Sequence, residues 1–446
     1  MVAEPNVVNR RMSLHDLHAG LLAAPVLLAL WSFAGPLQRS GWPALVAIGY
    51  FGGVCARGAL ANIRAPQAWD FGCFWLYGHI AAMRQNIYDP RVFAHFPLPF
   101  TPSDDFVQAV TSVGFPYPPP TIALFFPLGY ISSISASLAA WYVVQFAALA
   151  IAAWLLARTF MPTEGWPATA LVLALTLALP ATLTTVGYAQ TNFLLLLLLA
   201  LTLRTRCTAG GAVWQMLAVW VKPFAAALLL VDAVRANWRR LGIAAVTAAA
   251  SLVAAALVLG PQTVLTYFRS NPAGREPAST FSESVNQSLL AVVLRAHHAA
   301  PAHVSALHEP IYVAVAAVLL AVTVVLCMRA PRDSDLPLAL ALLLGMLIYP
   351  ATLNSYGVVL IVPLLVLWRH RDALPGKTGA GAAVALVALV TILQGYARFD
   401  FGANLALWLC TAGVLVAEIG SVTAAKSPAV FRRSVAATPP SVHAAE

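Results

Sequence analysis

The chain has 446 residues, of which 60% are hydrophobic and only 10% are Asp, Glu, Lys or Arg, and its mean hydropathy is +0.78. A soluble domain carries roughly 25% charged residues and could not bury so much apolar surface, so a soluble enzyme is excluded. The 26 Lys and Arg residues exceed the 17 Asp and Glu residues but stand between apolar stretches rather than in one patch, which favours membrane topology over nucleic-acid binding.

Apolar stretches recur along the chain, and each is a candidate membrane helix. A spanning helix needs about 20 apolar residues, because roughly 30 Å must be crossed at about 1.5 Å per residue. In chain order the candidates are 17–34, 42–61, 119–131, 136–157, 166–186, 191–203, 211–231, 241–260, 309–328, 336–350, 354–369, 378–395 and 402–420. The stretches 119–131 and 191–203 are too short to cross alone, which predicts half-helices or bent elements buried against other helices.

This pattern predicts an all-α polytopic membrane protein with about 11–13 transmembrane or half-membrane helices. We expect one integral-membrane domain over residues 1–425, followed by a disordered cytoplasmic tail over residues 426–446. If each stretch from 241–260 onward crosses once, most Arg and Lys residues of that half fall on one face, which is then cytoplasmic by the positive-inside rule. The orientation of the segments before residue 240 stays open.

Two long stretches, 62–118 and 261–308, are predicted to be outer loops. Loops of this length in a compact membrane domain are usually functional or disordered. The first contains a helix-like stretch from Phe71 to Arg84 and many aromatic residues, which favours an ordered cap at the membrane interface.

Metal ligands are sparse in the sequence. The five cysteines are scattered and lack CxxC spacing. The second outer loop contains four neighbouring histidines, His297, His298, His303 and His308. Glu309 is the one carboxylate or cysteine that joins them at a suitable spacing, which is too few ligands to predict a metal site. We therefore expect no cofactor, although the sequence does not exclude a divalent metal.

Asp70 is the residue that most strongly suggests chemistry. In Ala68-Trp69-Asp70-Phe71-Gly72 it ends a polar stretch and begins an apolar, aromatic one. One interpretation is a helix N-cap, whose carboxylate accepts the first backbone N–H groups. The other is a general base at the membrane surface, where partial desolvation raises its basicity. The sequence leaves both open.

Lys222-Pro223 is the strongest physical anomaly, because an ammonium group inside an apolar segment costs several kcal/mol and normally faces a cavity or an anion. Pro223 breaks the helix, and arginines flank the segment on both sides. Segment 211–231 is therefore interpreted as a hairpin with Lys222 at its turn. Contact with a ligand phosphate is the preferred role, and a snorkelling lysine is the alternative.

Polar groups also interrupt apolar sequence before residue 200. Segment 115–120, Phe-Pro-Tyr-Pro-Pro-Pro, predicts a rigid start of a membrane helix, with Tyr117 at headgroup depth. Segment 187–192 is a polar break that contains Gln190 and Asn192 ahead of a leucine run. A helix cap and a functional role explain this break equally well. Tyr88-Asp89-Pro90 is interpreted as a turn that ends the preceding helix.

The second outer loop carries a further polar group. Segment 284–289, Ser-Val-Asn-Gln-Ser-Leu, is followed by Arg295, which predicts a short amphipathic helix that carries amides, hydroxyls and a guanidinium. Such groups suit sugar hydroxyls and phosphate oxygens. An interfacial helix with a polar face is an equally good interpretation.

Taken in order, these residues resemble the pattern of glycosyltransferase family 87 over roughly residues 65–370. The matching elements are Asp70, Tyr77, Tyr88-Asp89-Pro90, Tyr117-Pro118-Pro119, Gln190-Thr191-Asn192, Lys222-Pro223, Asn286-Gln287-Ser288-Leu289 with Arg295, and Tyr356. The family includes polyprenol-phosphate-mannose-dependent mannosyltransferases. This chain departs from the family at Ala189, where glycine is usual, and at Asn354-Ser355-Tyr356, where many members have histidine.

The resemblance implies a GT-C fold that transfers a hexose, most simply mannose, from a polyprenyl-phosphate donor to a lipid or glycan acceptor. The reaction would occur on the extracytoplasmic side of a bacterial-type inner membrane, with membrane lipids as further partners and no nucleic acid. Asp70 would be the base of a single-step inverting transfer. By position, Lys222, Asn286, Gln287 and Arg295 would lie near the donor phosphate or sugar, and the further substrate-binding candidates are Tyr77, Tyr117, Gln190, Asn192 and Tyr356.

Two other classes of protein remain alternatives. A transporter or lipid-linked sugar flippase would also have many helices and a buried lysine, but no repeated halves and no intramembrane carboxylate partner for Lys222 are evident. A non-catalytic assembly subunit would have no use for Asp70.

Overall fold

A computed structural model describes residues 41–65, 69–89, 91–92, 117–270, 284–296, 309–370 and 400–425. The first half contains α1 (Trp42–Arg64), α2 (Trp69–Ala82), α3 (Pro119–Ala123), a 3₁₀ turn (Phe126–Tyr130), α4 (Ile134–Phe160), α5 (Gly165–Ala178), α6 (Pro180–Tyr188), α7 (Asn192–Arg204) and α8 (Ala209–Val221). After a 3₁₀ turn (Pro223–Ala226) follow α9 (Ala227–Val234), α10 (Trp238–Leu259), α11 (Pro261–Ser270), α12 (Leu289–Ala296), α13 (Pro310–Arg329), α14 (Leu336–Ile348), a 3₁₀ turn (Asn354–Leu360), α15 (Ile361–Arg369) and α16 (Asp400–Ala425).

The described part of the chain is an all-α polytopic membrane protein, as the sequence predicts. Within it, five helices are long and apolar enough to cross a bilayer: Trp42–Arg64, Ile134–Phe160, Trp238–Leu259, Pro310–Arg329 and Phe401–Val422. A sixth crossing is possible if α5 and α6, bent by 70° at Leu179, count as one span. Predicted segments 17–34 and 378–395 lie outside the described residues, as does the tail 426–446.

The two stretches predicted to be too short to cross are short in the structure. Segment 119–131 forms the single turn of α3 and the 3₁₀ turn Phe126–Tyr130, and 191–203 forms the 13-residue helix α7. Both pack among other helices, with Ile122, Phe125 and Leu196 fully buried. Neighbouring helices therefore cover the polar backbone groups that such breaks leave open.

Segment 209–234 enters the helix bundle and returns, as predicted for 211–231. The Arg240 side chain donates to Asp232 Oδ1 (2.8 Å) near the end of α9 and to the carbonyl of Thr208 (3.2 Å) just before α8. It also donates to Gln215 Oε1 (2.9 Å) in the middle of α8. One guanidinium therefore holds both ends of the segment together. Lys222, at the break between α8 and the following 3₁₀ turn, lies at the tip of this re-entrant hairpin.

Helix α2 lies inside the bundle, not over it as the predicted interfacial cap suggests. Phe71, Phe74, Trp75, Tyr77 and Ile80 are each at most 1% exposed. The helix is apolar on all sides, and such a helix is stable only when neighbours surround it. Here the neighbours are α3, the 3₁₀ turn Phe126–Tyr130, α4 and α6. The remainder of the predicted cap, 93–116, lies outside the described residues.

Two glycine contacts set how closely these elements approach. A Cβ atom on Gly129 would lie 2.2 Å from the backbone of Gly78, so α2 and the 3₁₀ turn touch backbone to backbone. A Cβ atom on Gly345 of α14 would lie 2.3 Å from the carbonyl oxygen of Phe224, beside the hairpin tip. Small residues allow such close helix approach in membranes.

A charged network holds the opposite ends of several of these helices. Asp335, whose side chain is 2% exposed, pairs with Arg206 and with Arg369 (2.9 Å). Arg235 donates to the carbonyls of Pro331 and Arg332 (3.0 and 3.1 Å). Because Arg206 precedes α8 and Arg369 ends α15, this network lies one helix length away from Lys222 at the far end of α8.

Candidate functional site

Lys222 is the centre of a buried polar cluster. Its ammonium donates to Tyr117 Oη (2.6 Å), Tyr356 Oη (3.0 Å) and Gln190 Oε1 (3.1 Å), and the residue is 1% exposed. It also lies 4.8 Å from the centre of the Tyr117 ring and 4.3 Å from that of Tyr356. These neutral oxygens and aromatic rings compensate part of the cost of burying the charge.

Gln190 connects this cluster to Asp70. Its amide nitrogen donates to Asp70 Oδ2, while its amide oxygen accepts the hydrogen bond from Lys222. Gln190 is 1% exposed, whereas Asp70 is only partly buried. One carboxylate oxygen of Asp70 is thus held by the same amide that binds the Lys222 ammonium.

The environment of Asp70 favours its protonated form more than water does. Burial raises the pKa of the Asp70 carboxyl above its ordinary value, and the nearby Lys222 charge and the Gln190 hydrogen bond offset only part of that rise. A carboxylate with a raised pKa is a stronger base when it is ionised. Asp70 lies in the first turn of α2, where its negative charge also suits the helix dipole.

The backbone around Gln190 is fixed independently of its side chain. Helix α6 ends at Ala189 in the left-handed conformation (φ 49°, ψ 43°), and the Ala189 carbonyl accepts a hydrogen bond from Trp141 Nε1 (2.8 Å). The Gln190 N–H donates to the Thr185 carbonyl (3.0 Å). Glycine adopts this conformation without the strain of about 1–2 kcal/mol that alanine carries, so Ala189 is held here by its surroundings.

Tyr117 and Tyr356 are each positioned by other residues. Tyr88 Oη donates to the Tyr117 carbonyl (2.7 Å), and the Tyr356 ring stacks on Phe224 with centroids 5.5 Å apart. The predicted turn at Tyr88-Asp89 is present, since Tyr88 N–H donates to Asn86 Oδ1 (3.1 Å). Sequence reasoning gave neither Tyr88 nor Phe224 a supporting role, although Phe224 directly follows the Lys222-Pro223 anomaly.

Asn192 and Tyr77 lie beside the cluster. Asn192 Nδ2 donates to the Ser355 carbonyl (2.9 Å) and to Thr185 Oγ1 (3.0 Å), which ties the start of α7 to the residue before Tyr356. Tyr77 is fully buried on α2, with its ring centroid 6.5 Å from that of Tyr88. The structure thus brings Asp70, Tyr117, Gln190, Lys222 and Tyr356 into one cluster, with Asn192 supporting it.

The polar residues of the second outer loop make different contacts. Asn286 Nδ2 donates to the Pro350 carbonyl (2.8 Å), Gln287 Oε1 accepts from the Phe401 N–H (3.1 Å), and Arg295 donates to the Asn286 carbonyl (2.9 Å). Asn286 also pairs with Leu353 in an isolated antiparallel bridge. The Pro350 bond and the Leu353 bridge join the loop to the chain just before Tyr356, whereas the Phe401 bond joins it to the start of α16. The helix α12 begins only at Leu289, so the amides precede it rather than line its face.

An apolar cavity of about 330 Å³ begins at the hairpin tip. Its walls come from the 3₁₀ turn and α9 on one side and from α13 and α14 on the other, and Pro223 and Phe224 line it. Phe224 therefore borders this cavity and also stacks on Tyr356 of the polar cluster. In the described residues no group of three or more His, Cys, Asp or Glu could hold a metal ion, and His297, His298, His303 and His308 lie outside them.

Comparison with known proteins gives one match. No curated protein and no solved structure matches the chain. The sequence model of the family described as "Glycosyltransferase family 87" matches residues 115–355, which is more than half of the chain. The matched region contains Tyr117, Gln190 and Lys222; Tyr356 directly follows it, and Asp70 precedes it but is joined to it through Gln190. The chain belongs to glycosyltransferase family 87 and is a membrane glycosyltransferase.

Proposed function

We propose that this protein transfers a hexose, in the first instance mannose, from a polyprenyl-phosphate donor to a hydroxyl of a lipid or glycan acceptor. The observation that carries the proposal is the hydrogen-bonded series from the Asp70 carboxylate through the Gln190 amide to the Lys222 ammonium. One amide joins a carboxylate to an ammonium, which supports roles for the two groups as base and cation. Proton removal and stabilisation of a leaving phosphate need these two kinds of group.

The proposed mechanism is a single inverting displacement. Asp70 accepts the proton of the acceptor hydroxyl while its oxygen bonds to C1 of the sugar, and the bond from C1 to the phosphate oxygen breaks. Polyprenyl phosphate leaves with the bonding electrons, and the positive charge of Lys222 stabilises the developing negative charge. Asn286, Gln287 and Arg295 are proposed to border the donor from the second outer loop, and Tyr77 and Asn192 the substrate from the cluster.

A single base agrees with the carboxylates around the site. A retaining reaction through a covalent intermediate would need a second carboxylate about 5 Å from the first, by analogy with glycosidases. Asp89, the other described carboxylate of the first outer loop, instead pairs with Arg91 at 2.8 Å. Asp104 and Asp105 lie outside the described residues.

The apolar cavity at the hairpin tip supports a donor that arrives from the membrane. Its walls are almost entirely aliphatic or aromatic, and it borders the cluster through Phe224. A donor with an isoprenoid chain could reach Lys222 along such a surface, whereas a soluble nucleotide sugar would gain nothing from it. The proposed GT-C-type fold rests on this arrangement together with the family.

The extracytoplasmic side of an inner membrane is proposed as the place of reaction. The Arg-rich ends of α7, α9, α13 and α15 lie opposite the hairpin tip, and the positive-inside rule assigns basic ends to the cytoplasm. The cluster then faces outward. Within the part of the chain that the structure describes, no observation favours the transporter or subunit alternatives, and the family argues for an enzyme.

The test is transfer by Asp70→Asn in membranes supplied with a panel of radiolabelled polyprenyl-phosphate hexoses and pentoses, analysed for new glycolipid. We expect loss of transfer at unchanged expression, because the amide cannot accept the proton. Asp89→Asn is the matched control and should retain transfer. Normal turnover by Asp70→Asn would contradict the assignment of the base.

A further inference from the structure

We propose that Gln190 is a positioning residue that aims the Asp70 carboxylate and joins it to Lys222, so that base and cation act as one unit. This inference deepens the proposed function and rests on it in one respect, the role of Asp70 as the base. The contacts that carry it are the two hydrogen bonds made by the two ends of one amide.

The amide can satisfy its neighbours in one orientation only. An ionised carboxylate only accepts hydrogen bonds, and an ammonium only donates them. The Gln190 nitrogen must therefore face Asp70 and the oxygen must face Lys222, as the structure has them. A flipped amide would set its N–H groups against the ammonium and its oxygen against the carboxylate.

Among the contacts described for Lys222, the one with Gln190 continues to a carboxylate. Three acceptors surround the ammonium, namely the phenol oxygens of Tyr117 and Tyr356 and the Gln190 amide oxygen. Two of the three are neutral phenols, and the third is the group that also binds Asp70.

The backbone that carries Gln190 does not depend on its side-chain amide. The left-handed residue Ala189, the Trp141 bond to its carbonyl and the Gln190 N–H bond to Thr185 fix this segment. A change confined to the side chain should therefore leave the fold intact and remove only the two amide contacts.

Titratable groups occur on α2 itself and on the elements packed against it. Lys222 acts on it directly, and Cys73 lies one turn along the same helix. Elements packed against α2 add phenols: Tyr142 of α4 donates to the Val186 carbonyl (2.6 Å), Tyr188 of α6 is 38% exposed, and Tyr130 of the 3₁₀ turn is 65% exposed. His79 of α2 bonds with the Gly129 carbonyl (2.7 Å). Among the described residues, Lys222 is the cation that lowers the pKa of Asp70, and Gln190 is its hydrogen-bonded link.

The test compares Gln190→Leu with wild type in the pH profile of transfer. Because the Gln190 hydrogen bond lowers the pKa of Asp70, its loss should move the acidic limb of kcat to higher pH. At neutral pH we expect a roughly tenfold to hundredfold fall, the equivalent of one charge-assisted hydrogen bond, with recovery at alkaline pH. A purely structural role would lower kcat equally at all pH values and leave the limb in place, and that result would overturn the proposal.

Gln145→Leu is the matched control. Gln145 of α4 is 1% exposed, and neither of its amide atoms has a hydrogen-bond partner among the described residues. The substitution is chemically identical and equally buried, so it should leave the limb unchanged. A comparable shift in this variant would attribute the effect to loss of a buried amide in general.

A second measurement needs no turnover. Infrared titration of the purified protein follows the C=O stretching band of the protonated Asp70 carboxyl, identified by its loss in Asp70→Asn. We expect the band to persist to higher pH in Gln190→Leu and in Lys222→Met, and the double variant to shift less than the sum of the two. Unshifted titration would overturn the link. If no donor is used, the proposed function fails while this titration still decides the role of Gln190.

Discussion

Gly345→Ala is expected to displace the tip of the re-entrant hairpin, although Gly345 itself belongs to α14. A Cβ atom there would lie 2.3 Å from the Phe224 carbonyl oxygen and 3.0 Å from Ala227 Cβ. Non-bonded heavy atoms prefer separations of about 3.5 Å, so the two elements must move apart by roughly 1 Å. Phe224 is two residues from Lys222, so the shift reaches the ammonium.

The magnitude follows from two opposing effects. Overpacking of this kind lowers the unfolding free energy by about 1–3 kcal/mol, and the better helix propensity of alanine raises it by about 1 kcal/mol. A displacement of about 1 Å at a reacting centre lowers turnover by about 100-fold. Activity is therefore expected to fall far more than stability.

The assay measures both quantities on detergent-purified protein, namely unfolding and the initial rate of sugar transfer. Gly413→Ala in α16 is the matched control, because its Cβ would meet no atom within 4 Å. That variant should keep full transfer. Equal turnover in Gly345→Ala and wild type, with the stability loss present, would refute the link between this helix contact and the ammonium.

Three more predictions concern charged residues. Lys222→Met should reduce kcat by about 100- to 1000-fold through loss of transition-state stabilisation. Unchanged donor use in steady-state kinetics would instead favour a lysine that only holds the buried cluster together. Because burial raises the pKa of Asp70, transfer should be lost as pH falls through a value above the ordinary carboxyl range, and a rate profile that stays flat down to that range would contradict this. Asp335→Asn should lower the unfolding free energy by about 1–3 kcal/mol, a range that already allows for the partly exposed arginine partners. Transfer per folded molecule should stay unchanged, because the network is remote from the cluster. Calorimetry and a transfer assay on the same preparation measure the two effects.

The hairpin was predictable because its signals are local. A lysine and a proline inside an apolar run, with arginines on both flanks, leave few low-energy arrangements in a membrane. The structure adds the clamp by Arg240, a residue with no distinguishing neighbours in the sequence.

The link between Asp70 and Gln190 could not be derived from residue patterns. The two residues are 120 positions apart, and each alone is explained by a helix cap. Only the family resemblance suggested that both residues belong to one site. Similarly, nothing in the sequence distinguishes Gly129 or Gly345 from glycines in open space, because close approach depends on the partner element.

Two interpretations of the outer loops changed for physical reasons. Aromatic residues favour a membrane interface, but on α2 they cover the whole circumference, so the helix needs neighbours on all sides. Asn286 and Gln287 are amides that could bind a sugar, and in the structure they also complete contacts with backbone groups near Pro350 and Phe401. Buried backbone groups need such partners.

The lengths of the two arms of segment 209–234 determine how deep Lys222 lies in the membrane. Helix α8 has 13 residues and therefore extends about 20 Å from its clamped base, roughly two thirds of a 30 Å hydrocarbon layer. Adding or deleting one turn in each arm would move the lysine by about 5.4 Å along the membrane normal. The number of residues in each arm therefore sets the depth at which Lys222 can meet the phosphate of a membrane-bound donor.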